Sequence, residues 1–192
     1  MCTIGFKISY KINGFYVGIF IGSILVPRIL ANVGHVRVFG AMSAIASSAI
    51  LIHAAFVDPL LWAVMRILTG FSFAGMYIVC ESWLNDKATN ETRGQLLSIY
   101  MIINMGGMSL GQVMISFGED GGYGLFLLAS VMVSMAVVPI LITVGKAPEF
   151  DTPERLGFRR LYQISPLAVM GMALTGAATA MIFGMGPIYG RS

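Results

Sequence analysis

The run Gln95-Leu-Leu-Ser-Ile-Tyr-Met-Ile-Ile-Asn-Met-Gly-Gly-Met-Ser-Leu-Gly-Gln-Val-Met-Ile-Ser-Phe117 decides the fold, because it contains no Asp, Glu, Lys or Arg. A helix needs about 20 mostly apolar residues to cross the hydrocarbon core of a bilayer, and this stretch supplies them without a break. Working outward, five more segments meet the same criterion: 14–33, 38–57, 60–84, 122–145 and 163–189. The last lies within a second charge-free run, Leu161 to Gly190. Repeated strands of about 10 alternating residues, which a membrane barrel requires, do not occur. The expected fold is all-α, a polytopic transmembrane bundle of about six spans.

Composition agrees. Of 192 residues, 57% are hydrophobic and only 11% charged, against about 25% charged in an ordinary soluble domain. Too little charge remains to cover a soluble surface. The net charge of +3 is scattered between apolar blocks, without the basic and aromatic interleaving of a nucleic-acid surface, so no nucleic-acid partner is expected. Cys2 and Cys80 form no disulfide framework. Lys7 and Lys11 precede an apolar stretch, but no small-residue cleavage pattern follows them, which argues against a secretory signal.

Short polar joints separate the spans: residues 32–37, Val57-Asp58-Pro59, Asn85 to Gly94, and 118–122; the longest, 146–162, carries seven charged residues. With the N-terminus outside, the inner joints hold eight basic residues (Arg28, Arg37, Lys87, Arg93, Lys146, Arg155, Arg159, Arg160) and the outer ones three (Lys7, Lys11, Arg191). The positive-inside rule therefore prefers that orientation. A leader with two lysines seldom translocates, and one further helix upstream would remove the conflict. The expectation is that residues 1–13 are an atypical leader and that a natural first span is missing.

Gly14, Gly18 and Gly22 recur every four residues on one helix face. Small residues at that spacing let membrane helices approach closely, either as a sliding seam between moving halves or as ordinary tight packing. Ala44 with Ser48, and Gly107 with Gly111, repeat the device. Arg66 lies about 9 Å along its helix from Leu60. A charge there costs about 2.5–3.5 kcal/mol on insertion scales, so it faces a cavity or snorkels to the outer interface. Glu81, about 22 Å further on, is expected to pair with a base at the inner end, Arg28, Arg37 or Arg93. Asn104 and Gln112 either line a path or bind helices together. His35 and His53 have no second ligand at metal spacing, and no nucleophile set or phosphate loop appears. No metal, cofactor or enzyme activity is expected.

Several of these residues resemble the major facilitator superfamily, and within it the YcaD-like branch. Arg66-Ile-Leu-Thr-Gly70-Phe-Ser-Phe-Ala-Gly75 is similar to the superfamily's fourth-helix motif. Glu81-Ser-Trp-Leu-Asn85-Asp with Asn90-Glu-Thr-Arg93-Gly94 resembles the end of that helix and the loop after it. Gly34-His35-Val36-Arg37 sits where the family carries its loop between helices two and three, with Ala31 in place of the acidic residue. Gly107-Met-Ser-Leu-Gly111-Gln112 partly matches the fifth-helix glycine motif of antiporters, without its proline.

The resemblance covers about residues 14–189 and implies family helices two to seven. Residues 14–145 would form an N-terminal bundle lacking its first helix, 146–162 the cytoplasmic linker, and 163–192 the truncated start of a second bundle. It implies a multi-pass protein of the cell (inner) membrane that moves a small molecule by alternating access, coupled to a solute or proton gradient. Arg66, Thr69, Asn104 and Gln112 are the path candidates; Gly34, His35, Arg37, Glu81 and Arg93 are the cytoplasmic gate candidates. Gly14, Gly18, Gly22, Gly70, Gly107 and Gly111 are the packing glycines, with the first three expected to meet a helix of the missing half. The alternative is a truncated membrane protein without transport activity, or a helical scaffold. On either reading, missing helices or a second copy would be needed for activity.

Overall fold

The computed structural model describes residues 2–117, 122–142 and 158–189, and among them it is helical with no strand. Seven helices follow one another: α1 (Cys2–Val33), α2 (His35–Ala55), α3 (Pro59–Lys87), α4 (Arg93–Ser116), α5 (Gly124–Ile142), α6 (Phe158–Ile164) and α7 (Pro166–Tyr189). Five are long and apolar enough to cross a membrane: Gly14–Val33 within α1, then α2, α3, α4 and α5. The sixth expected span corresponds to α7, 24 residues long, with a shorter apolar stretch at Pro166–Thr179. The bundle is an all-α transmembrane one, as its charge-free runs require. The acidic joint at Glu119-Asp120 and residues 146–157 of the expected linker lie outside the described residues.

Capping chemistry moves several helix ends from where hydropathy alone placed them. A single residue, Gly34, separates α1 from α2; its φ of 89° lies where a side chain would be strained. Its amide donates to Leu30 O at 2.9 Å, and its own carbonyl accepts from Val38 N at 3.1 Å. The second helix therefore begins at His35 rather than 38. Asp58 accepts from Leu61 N at 2.8 Å, and Pro59 takes the first helical position, an arrangement that satisfies an orphan amide and needs no proline N–H. Ser165 caps α7 in the same manner, accepting from Ala168 N at 3.4 Å with Pro166 next. Residues expected to belong to the leader are helical from Cys2, and the end of the expected linker is the short helix α6.

The first five helices form one compact unit and α6 with α7 a second. Helix α3 lies against both α1 and α2, and α5 lies against α2. Val26 and Leu30 of α1, Val38, Phe39 and Met42 of α2, Val79 of α3 and Val137 of α5 make one buried cluster. Lipid is as apolar as this cluster, so close van der Waals contact and interhelical hydrogen bonds hold it, not the hydrophobic effect. Helix α4 stands apart: none of its residues is buried.

Candidate functional site

Helices α1 and α3 meet backbone to backbone. A methyl group built on Gly18 would overlap the Ile67 carbonyl and come within 2.8 Å of Phe71 N. One on Gly70 would overlap the Phe15 carbonyl and reach Ile19 N at 3.1 Å. Gly22 meets Ala74 Cβ at 2.8 Å, and Gly14 meets Ala63 O at 3.1 Å. The contacts advance together along both helices, so α1 and α3 run parallel. This corrects the expectation that Gly14, Gly18 and Gly22 face a helix outside the chain: α3 already covers them. The expected spacing on α2 is also displaced, since Ala44 and Ser48 are exposed while Ser43 and Ser47 are buried.

Arg66 stands beside this seam, its Cβ 3.4 Å from the position of a Gly14 methyl, with its side chain exposed. Among the described residues no carboxylate lies within ion-pair reach of it. Thr69, one turn on, is buried and donates to the Met65 carbonyl of its own helix. Asn104 is half-buried on α4, and Gln112 is exposed. Gln112, Gly107 and Gly111 line a cavity of about 450 Å³ between α4 and α5, whose other walls include Met108, Leu128 and Met132. A Cβ on Gly107 or Gly111 meets nothing within 4 Å, so these two expected packing glycines have no helix against them here. No hydrogen bond joins Arg66 or Thr69 to Asn104 or Gln112 among the described residues.

Of the gate candidates, His35 at the start of α2 packs against the last turns of α3, where Glu81 lies. His35 is fully buried, its Nε2 3.0 Å from Ser82 Oγ and its ring stacked on Trp83 at 5.8 Å and 11°. Glu81 forms no ion pair with Arg28, Arg37 or Arg93 among the described residues. Instead the Tyr100 hydroxyl donates to its Oε1 at 3.5 Å, and Asn85 Nδ2 donates to its backbone carbonyl at 3.0 Å. The bases project outward, with Arg37 and Arg93 both exposed, whereas Tyr100 on the first turns of α4 falls within reach of the carboxylate. Thr89 and Thr92 exchange side-chain and backbone hydrogen bonds across the joint.

Two polar features escaped the reading of the sequence. Ser82 and Trp83 hold His35, and nothing in their spacing announces it. Ser47 Oγ lies 2.7 Å from Ser130 Oγ and 3.0 Å from Ser134 Oγ, tying α2 to α5 within the apolar layer. The second had a signal: Ser43 and Ser47, and Ser130 and Ser134, each sit four apart inside apolar runs.

A family model described as the Major Facilitator Superfamily matches residues 4–192. The chain is 25% identical over 179 residues to an uncharacterized MFS-type transporter of Enterobacter sp. (strain 638), covering 92% of this chain and 47% of that protein. Uncharacterized MFS-type transporters called YcaD, from Escherichia fergusonii and Salmonella arizonae, are 21% and 24% identical over 179 and 181 residues, with the same coverage. The chain thus spans about half the length of the curated relatives it matches.

Proposed function

Starting from the Major Facilitator Superfamily, to which the chain belongs, we propose that it forms part of a secondary active transporter of the cell (inner) membrane. It would move a small molecule by alternating access, in an assembly where two helical halves rock about one central site. The observation that carries this reading is Arg66. It is a guanidinium on a membrane-spanning helix, exposed, without an ion-pair partner among the described residues, and beside a seam too tight to slide. Such a charge is costly in lipid and is kept where it faces a cavity or a partner. Anchored by the α1–α3 contact, it serves as the electrostatic contact for an anionic group on the substrate, or as part of a coupling-proton site. The joint at Gly34 and that at residues 88–92 form the cytoplasmic gate, and His35 ties the start of α2 to Ser82 and Trp83 near the end of α3.

A second reading is favoured by α4, which buries none of its residues and leaves Gly107 and Gly111 uncovered: the chain alone is a scaffold that transports only when further helices or a second copy cover α4. One pair of reconstitutions tests both readings. In an assembly with a complete set of helices, Arg66→Ala abolishes uptake while insertion persists. Arg66→Lys restores part of it, because a point charge does not reproduce a forked planar donor. Unchanged uptake in the Arg66→Ala protein refutes the role of Arg66. Saturable flux by this chain alone, reconstituted without partners, refutes the scaffold reading.

A further inference from the structure

The short helix α6 lies immediately before α7, and the elbow between them is built rather than loose. Ser165 caps α7 through its hydroxyl, and its carbonyl accepts from Val169 N at 3.2 Å. Pro166 prevents the two helices from merging. With 3.6 residues per turn, Arg159, Gln163 and Arg160 fall along one side of α6 within an arc of about 100°. All three are exposed. Tyr162 and Ile164 are exposed beside them, at 46% and 64%, and Leu167 at 87% opens the apolar surface of α7. In the sequence, Arg155, Arg159 and Arg160 are the last three charged residues before the charge-free run.

We infer that α6 is an interfacial anchor that binds anionic phospholipid headgroups through Arg159 and Arg160. A helix joined by a fixed elbow to a membrane-spanning helix is held at headgroup level. There a tyrosine sits comfortably at the boundary, and a guanidinium meets phosphate with a bidentate geometry. Arginines at that level are drawn to the negative surface of anionic lipid. The inference rests on α7 spanning the membrane and not on transport, so the test below does not involve flux.

The full chain is purified in mild detergent, equilibrated with equal amounts of phosphatidylglycerol and phosphatidylcholine, and examined by native mass spectrometry for retained lipid. The wild type is expected to retain phosphatidylglycerol in preference. The double variant Arg159→Gln, Arg160→Gln should lower the ratio by roughly ten- to thirtyfold, while Arg159→Lys, Arg160→Lys keeps most of it. Equal ratios in the wild type and the glutamine variant overturn the inference, as does a loss in the lysine variant as large as in the glutamine one. If the glutamine variant does not fold, as judged by its helical circular dichroism, raised salt on the wild type replaces it: a ratio insensitive to salt overturns the inference. Displacement of phosphatidylglycerol by millimolar inorganic phosphate also overturns it, since that marks a plain anion site.

Discussion

Alanine substitutions along the glycines separate seams that are in contact from those that are open. At Gly18 the added methyl would overlap the Ile67 carbonyl and press on Phe71 N, both of them backbone atoms that no rotamer change moves aside. The two helices must part by about 1 Å, and a gap of that size forfeits roughly a quarter to a half of each contact's dispersion energy. Overpacking of this kind costs about 1–3 kcal/mol, and the rigid backbone places Gly18→Ala at the upper end. Higher helix propensity of alanine returns up to about 1 kcal/mol, leaving a net loss of about 2 kcal/mol. Gly14→Ala meets its neighbours at 3.1 and 3.4 Å and should cost well under half of that. Gly107→Ala and Gly111→Ala meet nothing within 4 Å, so in this chain they should be neutral or slightly stabilising. The assay is reversible unfolding of the purified chain by titrating sodium dodecyl sulfate into mild detergent, followed by fluorescence of Trp62 and Trp83, both on α3. Equal losses at Gly18 and Gly107 would refute the reasoning, because they would show that the variants report a general intolerance of α-helices here to alanine and not a seam.

Ser47→Ala removes the hydroxyl shared by Ser130 and Ser134 and should cost about 0.6–1.7 kcal/mol in the same unfolding assay; Ser48→Ala, at an exposed position of α2, should cost nothing measurable. For topology, single cysteines at Val57 and Thr89 in a background lacking Cys2 and Cys80 should label from opposite faces of the membrane, Thr89 from the cytoplasm. Both positions are exposed, so labelling of the pair from one side would contradict the alternating arrangement of α2, α3 and α4.

What the sequence determined by itself is the solvent and the helical character of the fold. Charge-free runs such as Gln95–Phe117 leave no choice but helices in lipid, since every backbone group must be satisfied within its own segment. The motif around Arg66 and Gly70 was enough to suggest the family. Gly14, Gly18 and Gly22 likewise announced a close approach between helices. The identity of the approaching helix was decided only by tertiary structure, because a glycine face carries no address: it accepts any backbone of matching shape, and α3, running parallel, presents Gly70 in return. The same holds for Glu81. Sequence offered it several arginines by charge, yet long basic side chains at helix ends reach outward to water or headgroups, and the nearby Tyr100 hydroxyl takes the carboxylate. His35 was an isolated histidine in the sequence because its partners, Ser82 and Trp83, lie 47 and 48 positions away and meet it only once α2 and α3 pack. Apolar length fixes that these segments are helices in lipid, whereas which face meets protein and which helices pair depend on surface shape and hydrogen-bond geometry that exist only after the helices have met, as the buried Ser43 and Ser47 beside the exposed Ala44 and Ser48 show.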